Sequence, residues 1–152
     1  MHARTIAGII AGFIAAALGI AAILPARGGG GPDDPVIARI AAMTTGQAAL
    51  DRLGRMSGGR LFFDRRQAQA ARRDLIDLAD AIPDLFRDPG PEPGSRALPA
   101  VWTRAEGFRD QTQAAERAAR ALNTRSLNRL RQGLPAVLDS CHGCHRAYRR
   151  PP

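Results

Sequence analysis

Both cysteines of this chain sit in one pentapeptide, Cys141-His142-Gly143-Cys144-His145. On a helix, residues three and four apart share a face. Cys141, Cys144 and His145 therefore present two thiols and an imidazole in one direction. Cys-x-x-Cys-His is the attachment pattern for c-type haem. The thiols form thioethers to one porphyrin, and the imidazole beside the second of them points at its iron. Rival chemistries fit less well. A disulfide one helical turn long meets the required geometry poorly. A thioredoxin-type pair follows a strand in a βαβ setting, and no segment here has the alternating, β-branched pattern of a strand. Zinc needs four ligands in tetrahedral array, and the remaining histidine, His2, stands far away in the chain. His142 falls off the face that bears the cysteines and reads as a solvent-facing bystander. The pattern predicts one covalently attached haem c, held by Cys141 and Cys144, with His145 as the axial iron ligand.

Such a turn must be carried on a long helix, and the sequence supplies one. Leu127, Leu130, Leu134, Val137, Leu138, Cys141, Cys144, His145 and Tyr148 recur at spacings of three and four, one continuous apolar stripe. Pro135 interrupts it, and an interior proline costs about 3 kcal/mol, so a kink or a restart is expected there. Three further helices precede it. The first opens at Asp33-Asp34-Pro35, runs through Val36, Ile37, Ile40, Met43, Leu50 and Leu53 on its apolar side, and ends at Gly58-Gly59. The second starts after Asp64, and Pro83 is expected to stop it or to follow its last turn. Residues 84–100, rich in Pro and Gly, form a loop. The third helix is expected from about Thr103 to Leu122, and Asn123-Thr124-Arg125-Ser126 is a turn with a cap. Four helices with two short links and one longer one predict an all-α fold, an antiparallel up-down-up-down four-helix bundle.

Ahead of the bundle, residues 6–24 are apolar and uncharged, followed by Arg27, four glycines and Pro32. A run of this length suits a membrane-spanning helix slightly better than the shorter core of a cleaved signal. Residues 1–31 are therefore expected to be an export signal or inner-membrane anchor with a Gly linker, and residues 32–152 the domain, placed in the periplasm. The formal charge is +8, and all 22 basic residues are arginine. Arginines interleaved with acids along helical faces, with only 5% aromatic residues, do not make a nucleic-acid platform. They read first as solvated helix faces, and a basic exported domain also suits acidic partners or anionic headgroups. No nucleophile paired with a base is visible, so the reading is a non-enzyme.

At this point the chain resembles a known family, the class II cytochromes c, which comprise cytochrome c′ and its low-spin relatives. The resemblance covers roughly residues 35–150. It rests on Val36-Ile37-Ala38-Arg39-Ile40-Ala41-Ala42-Met43, on Leu53-Gly54, Gly59 and Phe63-Asp64, on Ser95-Arg96-Ala97-Leu98-Pro99-Ala100-Val101-Trp102 with Phe108, and on Cys144-His145-Arg146-Ala147-Tyr148-Arg149. The family's usual Gln after the first Arg is Ile40 here. The resemblance implies haem contacts at Arg39 and Arg96, at propionates, since an arginine fork suits a carboxylate. It places Met43 over the distal face, as sixth iron ligand or as a plug. It also implies periplasmic electron transfer with redox partner proteins, or binding of small gases such as NO and CO at an open distal site, and homodimers.

Overall fold

The computed structural model describes residues 34–89 and 94–151. The apolar run at 6–24 and its linker lie outside them. Helix α1 spans Pro35–Ser57 and α2 spans Arg65–Leu85. A single turn, α3, covers Ala100–Thr103, followed by α4 at Ala105–Ala121 and α5 at Leu127–Tyr148. Among the described residues no helix is long and apolar enough to cross a membrane.

The starts and stops follow local chemistry. The Asp34 carboxylate accepts from the Val36 amide at 2.7 Å, and Pro35 needs no amide partner at the first helical position. Asp64 accepts from Gln67 at 2.8 Å and Ser126 from Arg129 at 3.4 Å. Gly59 turns the chain out of α1 at φ 74°, a left-handed conformation in which a Cβ is strained.

Three expectations about helix continuity need correction. α2 does not stop at Pro83 but runs on to Leu85. Pro83 lies in the last turn and is exposed, so only one backbone bond is lost and its ring faces water. α5 does not restart at Pro135 and is continuous from Leu127. Pro135 is also exposed, so water can serve the carbonyl four residues back that lost its amide. The third helix is broken at Arg104, whose φ of −122° and ψ of 49° are not helical. The separate turn α3 puts the Trp102 indole where it donates to the Phe86 carbonyl at 2.9 Å.

The four long helices form a ring in the order α1, α2, α4, α5, and the diagonal pairs do not approach one another closely. The links at 58–64 and 122–126 are short, so neighbours run antiparallel. One end of the bundle holds the start of α1, the end of α2, the start of α4 and the end of α5. There the chain is tied by a lone bridge between Ala97 and Arg149, with Leu98 donating to the Tyr148 carbonyl at 2.9 Å. The core divides accordingly. Leu53, Met56, Ala68, Ala71, Leu75, Leu130, Leu134 and Val137 fill the body of the bundle. Ile82, Val101, Phe108 and Tyr148 form a second cluster at the tied end. Leu53 is fully buried in the first. Leu53→Ala is expected to lower stability by about 2–5 kcal/mol, read as a lower urea midpoint with an unchanged slope.

The apolar side expected for α1 is only partly interior. Val36 and Leu53 are buried, but Ile37 and Ile40 are exposed by 47% and 56%.

Candidate functional site

Between the two clusters the bundle is hollow. A cavity of about 550 Å³ opens there, a size typical of small-molecule sites, about 300–1,000 Å³. The stripe of α5 forms one wall, with Val137, Cys141, Cys144, His145 and Tyr148 facing in. α1 contributes Arg39, Ile40 and Met43, and α2 contributes Leu78 and Ile82. Phe108 and Thr112 come from α4, and Arg96 from the segment before α3. The structure thus brings together all six residues singled out in the sequence: Cys141, Cys144, His145, Met43, Arg39 and Arg96. His142 is exposed, and Met56 is buried in the body core, away from the cavity wall.

The walls are mostly apolar, and this sets the protonation of the groups they hold. Burial pushes the Cys141 thiol up, and burial together with the neighbouring Cys141 pushes Cys144 up to about 11. Both are therefore neutral thiols at pH 7. A redox-active thiol pair needs the opposite shift. Burial lowers the pKa of His145, helped by electrostatic repulsion from its neighbours, Arg149 first. Its imidazole stays neutral to lower pH than usual, with a lone pair free for a metal. Among the described residues no cluster of three or more His, Cys, Asp or Glu could hold a bare metal ion. The donor set fits a flat, largely apolar group that brings its own metal and needs two thiols and one imidazole.

The packing around the site carries features that spacing alone did not reveal. Arg39 is only 5% exposed. Its Nε donates to the Leu85 carbonyl at 2.6 Å and one terminal nitrogen to the Asp88 carbonyl at 3.2 Å. Its guanidinium lies 4.8 Å from the Phe86 ring centre and 5.8 Å from that of Trp102. It therefore clamps α1 to the end of α2 while also lining the cavity. Arg96 donates to the Arg150 carbonyl at 2.8 Å. Tyr148 stacks edge-on against Phe108 at 5.2 Å. Gly107 permits this, since a Cβ there would stand 2.8 Å from the Tyr148 hydroxyl.

A helix bundle enclosing a cavity with paired thiols and an imidazole on one turn defines the class of bundle-type c haem proteins. Comparison with known proteins specifies it further. The family model for cytochrome c′ matches residues 34–149, and the chain belongs to that family. The chain is similar to cytochrome c′ of Alcaligenes xylosoxydans xylosoxydans, 29% identical over 78% of this chain and 95% of that protein. It is 33% identical to cytochrome c-556 of Agrobacterium tumefaciens over 64% of this chain and 81% of that one. Among solved structures, cytochrome c′ from Rhodobacter spheroides superposes with a TM-score of 0.71 at 26% identity, covering 78% of this chain and 96% of that one. A nitric oxide complex of a cytochrome c prime variant from Alcaligenes xylosoxidans superposes with a TM-score of 0.69 at 30% identity, covering 79% and 97%. Family members carry one covalently attached haem c and are periplasmic. The all-α bundle and the haem c cofactor expected from the sequence are both borne out.

Proposed function

We propose that this protein carries electrons in the periplasm through one haem, bound by Cys141 and Cys144 through thioethers and by His145 at the iron. The observation that carries the reading is the meeting of these three side chains with Met43 on the wall of one apolar cavity. When bound, haem iron supplies reversible one-electron chemistry, with its potential set by axial ligands and burial. The residues of the chain provide the rest. Neutral His145 would offer its lone pair to the iron from a long helix. Phe108, Val101 and Ile82 keep water from the interior. Met43, partly buried on α1 and on the cavity wall, would offer a thioether to the iron. Arg96 keeps donors beyond its bond to Arg150 and is the stronger partner for a propionate. Arg39 serves mainly as the clamp on Leu85 and Asp88.

An optical redox titration tests the reading. It is expected to show a single reversible one-electron couple, with little spectral change when carbon monoxide is added to the reduced protein. A second reading is favoured by the nitric oxide and carbon monoxide complexes among the structural relatives: gas binding at an open distal face. A full spectral shift at stoichiometric carbon monoxide would select it.

Residues 6–24 serve export in this account and hold the domain at the inner membrane. Native protein is then expected to sediment with membranes and to keep Met1 or His2. A soluble periplasmic protein beginning between residues 18 and 27 would mark a cleaved signal instead.

A further inference from the structure

We propose that the end of the bundle at the mouth of the cavity is a docking surface for an acidic electron-transfer protein, with Arg96 and Arg149 on the cavity wall, Arg104, Arg146 and Arg150 beside them at the same end, and Ile40 as its apolar part. The proposal rests on the haem reading above, because the mouth is where an electron would enter or leave.

The placement is direct. Arg96, Arg149 and Ile40 all line the cavity. Arg104 lies over the Tyr148 ring at 5.5 Å and donates to the Ala147 carbonyl at 3.4 Å. Arg150 donates through its side chain to the Ser95 carbonyl and through its amide to the Arg96 carbonyl. Arg146 is exposed on the last turn of α5. Main-chain carbonyls thus hold three of the five guanidinium groups in place; neutral carbonyls do not offset their charge, and a propionate at Arg96 would leave the other four uncompensated. None of the five forms an ion pair among the described residues. Asp84, at the same end of the bundle, pairs with Arg87 instead. Asp88, Glu106 and Asp110, on the same end, bridge to none of the five. Ordered like charges left uncompensated raise the potential around a cleft and steer an oppositely charged partner into it.

The kind of partner follows from the same features. A second copy of this chain would bring the same positive rim against itself, which is unfavourable. A lipid surface is engaged by a helix with a broad apolar face several large side chains wide. At this end the exposed large apolar side chains among the described residues are Ile37 and Ile40 alone, and Phe62, 96% exposed, stands in the α1–α2 link at the far end of the bundle. What remains is a protein with a compact acidic patch. A partly apolar centre inside a charged rim is the usual anatomy of such a contact.

The test uses the haem-loaded protein with reduced flavodoxin as an acidic one-electron donor and free reduced riboflavin as a small donor that has no protein surface to dock. Arg146→Glu with Arg150→Glu reverses charge at the mouth. Arg125→Glu with Arg129→Glu makes the same change at the far end. At low salt the mouth pair is expected to slow reduction by flavodoxin about tenfold, and the far pair by less than about twofold. Reduction by free riboflavin should be the same in both variants and the parent. Equal slowing by both pairs, or a flavodoxin rate insensitive to salt, would overturn the docking surface while leaving the haem reading intact. Sedimentation with phosphatidylglycerol vesicles that the mouth pair abolishes would overturn it in favour of a membrane surface. A chain that accepts no electron from free riboflavin would overturn the haem reading, and the docking proposal with it.

Discussion

Replacing both Cys141 and Cys144 by alanine is expected to leave a polypeptide with no haem after denaturing electrophoresis in reductant. Thioethers survive those conditions, and coordination by His145 does not. Each single replacement should weaken retention without abolishing it, because the other sulfur still lines the cavity. Cys144 sits beside the imidazole in sequence and against the Phe108–Tyr148 cluster. Cys141 lies one turn back, against the body core. The stain for haem on the gel, read against total protein, makes the measurement. Folding failure is separable from loss of attachment, since neither cysteine belongs to the fully buried core. Helical content by circular dichroism should therefore persist in the double variant.

The second large effect is expected at Met43. The oxidised parent should show the weak far-red band of sulfur-to-iron charge transfer, and Met43→Leu should lose it. The substitution conserves volume closely, so its packing cost should stay under about 1.5 kcal/mol. A spectral change is then a change of ligation and not of fold. A thioether ligand raises the potential, so the variant's reduction potential should fall, and its reduced form should take up carbon monoxide. Axial ligand identity moves haem potentials over a span of about 0.8 V, which makes this the strongest single lever in the site. An unchanged band and potential in the variant would remove Met43 from the iron.

Much of this arrangement was legible from residue types. Asp34, Asp64 and Ser126 announce three helix starts by chemistry that acts within a few residues, and Gly58-Gly59 announces one end. The stripe on α5 and the Cys-x-x-Cys-His turn share a register, so the cavity wall could be read before the cavity was seen. The misreadings share a cause: they depend on what lies outside the local segment. Proline rules count the lost hydrogen bond, but at Pro83 and Pro135 exposure to water decides whether the helix survives. The break at Arg104 accompanies the Trp102 bond to Phe86, a partner 16 positions away. Arg39 shows the same limit. Its contacts with the Leu85 carbonyl, 46 positions on, and with two aromatic rings come from the fold and leave no mark in the local sequence. Ile37 and Ile40 follow the helical apolar pattern but stay exposed, Ile40 beside the cavity, because α1 packs closely against α2 and α5 only.

The claim that everything else depends on is a single haem fixed to this chain through both cysteines. The direct measurement is the intact mass of the denatured protein from cells competent in cytochrome c maturation, taken with its alkaline pyridine haemochrome spectrum. The account predicts polypeptide plus one haem, with the spectrum of a porphyrin whose two vinyl groups are saturated. A bare polypeptide mass, or a pigment that extracts into acidified organic solvent, would contradict it.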